Sequence, residues 1–517
     1  MQCETYRTTP DLVEAFTEAA LRNPERAALV HEGQVVTYRE LHELVSGLAE
    51  RLGPRPGAIA VPATHTPRTV IALLGILAAG GVYCPVDPAF PLSRQREMTS
   101  AAACRAVVAT GAALDPRLGL SVVGGEGDSA PPTTWSGRSG GIAPEPEPDA
   151  AAYILFTSGS TGRPKPVVTP RRAISVSVRS LRDLFALTEE DRVLQFASLN
   201  WDTSLEEIFP TLTTGATLVF DRAAHSGSFP RFLRMIERER VTVLDLPTAF
   251  WHELVIHLAE EATALPDCVR LMVIGGEAVS PARLADWSRL GTGRIRLVNT
   301  YGCTETTLIT HAVDLHGPGA PIPGWDWDSG ARAPIGRALP HVAEHIGEQD
   351  ELLIGGPALA LGYLGMPRAT EEAYSAQGGG RRFRTGDRVS RTPDGLLTHE
   401  GRLNDEIKIR GIRVDPGEVE THLAGHPAVN AVAVTGTTTA GRAALVAYVV
   451  PRPHTEAADL DVDLRTYLRE RVPAHLVPSR ITVVPHLVLT TSGKVDRKAS
   501  HLRYATVNRS KETVDER

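Results

Sequence analysis

The sequence predicts an α/β protein of two domains, a large layered one followed by a small lid. Three observations carry that reading. Amphipathic helical stretches alternate with short Val/Ile/Leu strands from about residue 10 to 315, as in RFLRMIERER then VTVLDL (231–246), the pattern of helices layered on sheets. A chain of 517 residues is too long for one hydrophobic core. Near 401–404 a new series begins: a helix (PGEVETHLAGH), strands (NAVAVTG and ALVAYVVP), a helix (DVDLRTYLRERV) and a last strand (RITVVP). That series suffices for a compact unit of roughly a hundred residues. The expected domains are therefore 1–403 and 404–517.

Each element has a local reason. TVIALLGILAAGGVY (69–83) is the most apolar run, yet it is short for a membrane span and broken by glycines. It reads as a buried helix running into a strand, and no membrane association is expected. AAYILF (151–156) has strand character. The Gly/Pro/Ser-rich stretches 124–150 and 316–336 read as flexible surface segments rather than linkers. NWDTSLEEIF (200–209) reads as a helix start that places Asp202, Thr203 and Glu206 on one face. No internal repeat is evident.

Composition excludes several classes. With 42% hydrophobic and 22% charged residues the chain has the balance of an ordinary soluble protein. A net charge of -7, without a basic stripe interleaved with aromatics, argues against nucleic acid as a partner. The N-terminus, MQCETYRTTPDLVEAF, has no basic stretch leading into an apolar one, so no signal peptide is expected. Cysteines 3, 84, 104, 268 and 303 form no CxxC or metal-like spacing, and the 17 histidines form no ligand cluster. Free thiols in the cytoplasm are the expectation.

TSGSTGRPK (157–165) carries the chemistry. Its glycines and small hydroxyl residues can wrap N–H and O–H groups around an anion without side-chain bulk. Strand, glycine–hydroxyl loop, lysine is the order of a site for nucleoside-triphosphate phosphates. It is not a Walker loop, because Pro164 separates the last glycine from Lys165, nor a nucleophile elbow, because Gly-x-Ser-x-Gly is absent. Of 54 Lys plus Arg only five are lysines: Lys165, Lys408, Lys494, Lys498 and Lys511. A compact ammonium on a flexible stem reaches a phosphate or carboxylate where the planar guanidinium fork is too wide. Motif context singles out Lys165, Lys408 and Lys494, while Lys498 and Lys511 read as surface charges.

In fixed order the phosphate loop is followed by VNTYGCTETT (298–307), RTGDR (384–388), GRLNDEIKIRG (401–411) and SGKVDR (492–497). Together with VTYREL (36–41), LAAGGVYCPVDPAFP (77–91) and LLIGGPALALGYLG (352–365), these span essentially the whole chain. The set resembles the adenylate-forming superfamily, most closely the amino-acid-activating adenylation domains of nonribosomal peptide synthesis. The resemblance implies a large domain of α/β sheets plus a small β-barrel, with a mobile α+β lid. It implies ATP and Mg²⁺, release of pyrophosphate, and transfer of the acyl group to a thiol. On the matching positions, Lys494 would bridge the substrate carboxylate and ATP oxygens. Thr157, Ser158, Gly159, Ser160, Thr161, Gly162 and Lys165 would cradle the outer phosphates. Thr304 would contact the α-phosphate and Glu305 would hold Mg²⁺. Tyr301 would stack on adenine, Asn299 would read its edge, and Asp387 would accept both ribose hydroxyls, with Gly276, Gly302, His399 and Arg402 completing the nucleotide site. Lys408 would serve the thioester-forming arrangement. The chain departs from the family at Pro166, usually glycine, at His399, usually an aromatic, and at Asn404, usually the hinge aspartate.

The resemblance also places the substrate pocket. Asp202 falls where the family pairs a carboxylate with the substrate's amine. The remaining positions are Thr203, Glu206, Asp245, Val273, Gly275, Thr300, Leu308 and Ile309, with Lys494 last. Buried carboxylates without partners are costly, so three of them favour a ligand with two positive charges. Gly275 and Thr300 are expected to leave space for a long side chain. The pocket looks like those for basic amino acids, lysine type and β-lysine in particular, with ornithine, arginine or a cyclic arginine derivative as alternatives. Only 23 residues follow Lys494 (517 − 494) and no condensation domain precedes residue 1. The expected enzyme stands alone and loads a separate phosphopantetheinyl carrier protein, with an MbtH-like helper as a further partner. The rival readings are an acyl- or aryl-CoA ligase and a non-catalytic adenylation-like scaffold.

Overall fold

Two mixed, mostly parallel sheets enclosing helices form the framework on which the candidate site is built. The computed structural model describes residues 9–123, 147–159, 162–320, 332–376, 380–403, 406–409, 412–439, 442–453, 455, 459–489 and 495–505. Ser160, Thr161, Asn404 and Lys494, and most of the two stretches expected to be flexible (124–146 and 321–331), lie outside the described residues.

Chain contacts divide the protein into two units: Met1–Pro88, Thr99–Leu155 and Pro166–Leu403 form the first, and Ala89–Met98, Phe156–Lys165 and Asn404–Arg517 the second. Two short stretches of the amino-terminal part, one of them the phosphate loop, thus group with the carboxy-terminal segment.

The first unit contains a nine-stranded sheet in which Val243–Pro247, Leu271–Gly275 and Arg296–Gly302 run parallel side by side, with Ile309–His316 antiparallel next to them. The strand Ala151–Thr157 belongs to a seven-stranded sheet with Ala58–Pro62 and Val82–Val86. Helices Pro67–Ala78 and Thr203–Thr214 share one continuous core with strands of both sheets, through Val70, Leu73, Leu205, Phe209, Ile59, Tyr83, Val243 and Val298. Pro67–Ala78 is apolar all round, with Pro at its first turn, and is buried on nearly every side. The run 69–83 is therefore a buried helix followed by the strand Val82–Val86. Helices Phe229–Glu239, Thr248–Glu260 and Pro281–Arg289 pack a second core around Trp251 and Trp287 against strands of the nine-stranded sheet. A smaller antiparallel sheet of five strands includes Ala343–Ile346, Arg382–Arg391 and Leu397–Arg402.

The second unit has its own core. Helices Pro416–Ala424 and Leu460–Arg469 bury Val419, Leu423, Leu464 and Leu468 against the three-stranded sheet of Val429–Thr439, Arg442–Pro451 and Arg480–Val483. A hairpin of Ile407–Ile409 and Ile412–Val414 carries Lys408 opposite Arg413. No helix among the described residues is long and apolar enough to cross a membrane.

Candidate active site

The acidic residues expected to line the substrate pocket converge. Asp202 occupies the N-cap position of helix Thr203–Thr214 but has a helical backbone (φ −61°, ψ −28°) and makes no side-chain cap hydrogen bond. Its carboxylate instead meets the Thr304 hydroxyl and the backbone N–H groups of Asp202 and Thr203. Glu206 lies one turn on, and Asp245 sits mid-strand in Val243–Pro247, at register with Val273 of the next strand. Glu206 and Asp245 are buried and hydrogen-bonded to each other, and Asp202 lies close enough to repel Glu206. Burial pushes Asp202 up to about 6, although the Thr304 hydroxyl hydrogen-bonds it and opposes the shift. Burial also pushes Asp245 up to about 7. Glu206 is driven well above the usual carboxylate range, by burial first and then by the Asp245 and Asp202 charges. Two carboxyls that share a hydrogen bond away from water cannot both ionise easily, so near neutrality the pair keeps a proton. Asp245 Oδ2 is buried with no hydrogen-bond partner.

Neighbouring Glu207 has a different task. Its Oε1 accepts the N–H groups of Phe196 (3.0 Å) and Ala197 (2.9 Å), and its Oε2 accepts from Gln195 (3.0 Å). It braces the strand-to-loop turn before Asn200.

Val273, Leu308 and Ile309 are buried in the core between the sheets, and Thr203 is partly exposed at the helix start. Gly275 and Thr300 depart from expectation. They are cross-strand partners, and a Cβ on Gly275 would stand 2.4 Å from Thr300 Oγ1 and 3.1 Å from its carbonyl oxygen. Thr300 Oγ1 donates to the Ile274 carbonyl at 3.0 Å, which fixes it there. Glycine at 275 thus serves the close approach of Thr300 rather than opening space. Gly275→Ala is expected to destabilise the protein by about 1–3 kcal/mol and to lower amino-acid kcat/KM at least about tenfold, since small misplacements of a pocket are costly. Thermal melts and exchange kinetics check this, and Thr300→Ala on the Gly275→Ala background should restore part of both.

The turn after Arg296–Gly302 carries Thr304 and Glu305. Glu305 is buried, its Oε1 accepts from Tyr363 Oη at 2.9 Å, and its carbonyl accepts from Tyr374 Oη at 3.1 Å. Just beyond, Thr307 and Leu308 both have positive φ (59° and 69°), and a Cβ on Gly302 would stand 2.0 Å from the Leu308 carbonyl oxygen. Non-glycine residues in that region cost about 1 kcal/mol or more each, and such strain gathers at functional sites.

Several residues of the first unit that were expected to hold the nucleotide form a connected network. Asp387, buried on Arg382–Arg391, accepts from Tyr301 Oη (2.6 Å), from Arg402 Nη1 (2.8 Å) and has His399 Nε2 at 3.1 Å. Arg402 also donates to the Thr385 carbonyl at 3.0 Å. These three neighbours occupy most of the acceptor positions that a carboxylate offers, about four. His399, in the place of the family's aromatic, thereby acts as a hydrogen-bonding group. Asn299 is buried, its amide donating to the Pro334 carbonyl at 2.7 Å, and Gly276 turns at φ +86° beyond Leu271–Gly275.

The described part of the phosphate loop lies in the second unit. Ser158 Oγ donates to the Arg413 carbonyl at 2.9 Å and accepts the Asp415 N–H at 3.0 Å. The Gly159 N–H donates to Glu418 Oε2 at 3.2 Å, and Glu418 Oε1 is 2.8 Å from Arg94. Gly159 approaches the Arg163 carbonyl and Lys165 so closely that a Cβ would clash, and Gly162 has φ +78°. Thr157 Oγ1 is buried without a hydrogen-bond partner. The loop thus already holds a carboxylate on its backbone, the chemistry expected of an anion cradle, and the Thr157 hydroxyl is a donor to spare. These features fit a polyphosphate. One buried carboxylate, Glu305, fits Mg²⁺, which binds through one or two carboxylates plus phosphates and water; no group of three or more His, Cys, Asp or Glu that could hold a metal ion exists among the described residues.

The comparisons with known proteins agree with this chemistry. Residues 16–364 match the AMP-binding enzyme family, and residues 418–494 match the AMP-binding enzyme C-terminal domain. The chain belongs to the AMP-binding enzyme family. As an AMP-binding enzyme it is 40% identical over 482 residues to the isonitrile lipopeptide synthase of Streptomyces coeruleorubidus, covering 91% of this chain and 32% of that protein. The chain therefore spans about a third of that relative's length. Among solved structures it resembles an artificially fused adenylation–PCP di-domain nonribosomal peptide synthetase from Klebsiella oxytoca, with a TM-score of 0.76 and 27% identity over 92% of this chain and 94% of that one. It also resembles a malonyl-CoA ligase in complex with methylmalonyl-CoA and AMP, with a TM-score of 0.75 and 27% identity over 90% and 97% of the two chains. The fold is that of adenylate-forming enzymes, a large α/β domain with a small carboxy-terminal one.

Motif reading missed the residues that hold the named ones. Tyr363 lies within LLIGGPALALGYLG (352–365), but nothing local couples it to Glu305. Arg94 and Glu418 are ordinary surface-type charges in sequence and buried partners in the fold.

Proposed function

We propose that this AMP-binding enzyme activates a basic amino acid of lysine type, α- or β-lysine, and passes it to the phosphopantetheine thiol of a separate carrier protein. The observation that carries the substrate class is the pair of buried carboxyls Glu206 and Asp245 beside the partly exposed Asp202. A neutral or anionic guest would leave these groups protonated or unpaired, whereas two ammonium groups match them. Asp202 takes the amine near the reacting carboxyl, and Glu206 with Asp245 takes the distal one. The Thr304 hydroxyl, hydrogen-bonded to Asp202, links the amine site to the residue assigned to the α-phosphate.

In the first half-reaction a substrate carboxylate oxygen bonds to the α-phosphorus of ATP, and the bond to the β-phosphate oxygen breaks with loss of pyrophosphate. Two anions must meet, so the barrier is largely electrostatic. Lys165, Lys494 and the loop N–H groups offset the repulsion, while Tyr301, Asn299 and Asp387 orient the nucleoside. Mg²⁺ held at Glu305 would supply charge neutralisation on the phosphates. In the second half-reaction the carrier thiol gives up its proton and bonds to the acyl carbon, and AMP leaves. Lys408 is assigned to that step.

Amino-acid-dependent pyrophosphate–ATP exchange over neutral, acidic, α-basic and β-basic amino acids tests the reading. Exchange led by the basic set supports it; exchange led by neutral acids, or CoA thioesters formed from simple carboxylic acids, contradicts it. Lys494→Ala should lower adenylate formation about 10²- to 10³-fold with an unchanged thermal melt. Activity within twofold of wild type would remove Lys494 from the reaction.

A further inference from the structure

A buried ion pair behind the nucleoside network belongs to none of the motifs. His311 lies directly across the strand pair from Tyr301. Its side chain is fully buried, its ring centroid is 5.9 Å from that of Tyr301, and the planes meet edge to face at 72°. His311 Nε2 is 3.0 Å from Glu344 Oε2, and the other Glu344 oxygen accepts from Arg391. His311 Nδ1 is 3.0 Å from Thr310 Oγ1, and that hydroxyl donates to the Tyr301 carbonyl at 3.2 Å.

Thr310 Oγ1 lies within hydrogen-bond distance of both the Tyr301 carbonyl and His311 Nδ1. Ionised Glu344 only accepts, so His311 Nε2–H donates to it. Glu344 is held down at about 2, chiefly by the His311 hydrogen bond and also by Arg391. His341, hydrogen-bonded to Ser180 at 2.8 Å, is kept neutral, pushed down to about 4 by burial and then by the His311 charge. The groups facing His311 are Glu344 on Ala343–Ile346, Thr310 beside it on its own strand, Tyr301 across the strand pair, and His341 in the following loop, with Arg391 behind Glu344.

We propose that the His311–Glu344 pair is a positioning device for the nucleoside half of the site, holding the Tyr301 ring and, through its hydroxyl, the Asp387 carboxylate in the geometry that receives adenosine. Thr310 fixes the Tyr301 backbone, the His311 ring fixes its edge, and the Tyr301–Asp387 hydrogen bond transmits the result. The inference rests on the assignment of Tyr301 and Asp387 to the nucleoside, and it is independent of which acid is activated.

The test is ATP and AMP binding by calorimetry, together with exchange kinetics, for wild type, Glu344→Gln and the double variant His311→Gln/Glu344→Gln. The double variant removes both charges at nearly constant volume, which guards against the misfolding that one orphaned buried charge can cause. Both variants are expected to weaken AMP and ATP binding about tenfold or more while amino-acid KM and kcat stay within about twofold. Wild-type nucleotide affinity in a folded double variant overturns the proposal. Equal losses in amino-acid KM, kcat and nucleotide affinity also overturn it, since they would show a merely structural pair. Failure of wild-type protein to bind either nucleotide would instead overturn the assignment of Tyr301 and Asp387 to the nucleoside.

Discussion

Asp202→Asn should lower kcat/KM for the amino acid about 10²- to 10³-fold while leaving the Kd of ATP within about twofold. The substitution keeps the volume and one hydrogen-bond acceptor for Thr304 but removes the charge that the substrate's reacting amine needs. Losing one partner of a buried, hydrogen-bonded ion pair costs about 3–5 kcal/mol, and each 1.4 kcal/mol is about tenfold. The loss should be shared by all amino acids, because each brings that amine. Exchange kinetics with several amino acids, and calorimetry with ATP alone, check both halves. An unchanged kcat/KM would place the amine elsewhere.

Glu206→Gln/Asp245→Asn acts on selectivity and on stability in opposite directions. Lysine-type substrates should lose about 10²-fold in kcat/KM, and neutral amino acids of similar length should gain relative to them. The ligand-free variant should melt higher than wild type above neutral pH. The sign follows from linkage. Asp245 is raised from 3.8 to about 7 by burial, and Glu206 is raised with it. Between about pH 4 and 7 the native wild type therefore holds protons that the unfolded chain releases, so its stability falls as pH rises across that window. A variant without these carboxyls escapes the loss. The difference in melting temperature should be near zero at pH 4 and grow as pH rises through 7, continuing above it as the proton the pair still holds near neutrality is released. A flat difference across that range would mean that the two carboxyls do not share a buried site.

Much of this fold could be read along the chain because its elements are locally marked. The helix Pro67–Ala78 is apolar all round, and PGEVETHLAGH, ALVAYVVP and DVDLRTYLRERV appear as helix Pro416–Ala424, strand Arg442–Pro451 and helix Leu460–Arg469. Periodicity and turn residues suffice for such segments. The hairpin around Lys408 was missed because two three-residue strands carry no period. The helix Arg497–Ala505 was missed because only Ser500 and Tyr504 of it are buried, leaving no apolar stripe. Residues 89–98 and 156–165 group with 404–517, and no local signal encodes such a long-range association.

At the site, motif order named Asp202, Glu305, Tyr301 and Asp387 but not what surrounds them. Gly275 looked like space and is the seat of Thr300. His399 looked like a departure from an aromatic position and stands within hydrogen-bond reach of Asp387. Tyr363, Glu344 and His311 act through partners distant in sequence, on neighbouring strands or across a sheet. Residue types at fixed spacing reveal groups that perform chemistry; the groups that hold them in place emerge only from the folded pairing of strands.

The central claim is that an acidic hollow selects its guest by a second positive charge. Exchange kinetics with lysine and with norleucine, which has the same stem without the distal ammonium, measure that charge alone. The account predicts a lysine-to-norleucine ratio in kcat/KM of about 10² or more at pH 8, declining as pH drops through about 7, where Asp245 takes up a proton. A ratio near one, or one that does not change with pH, would contradict it.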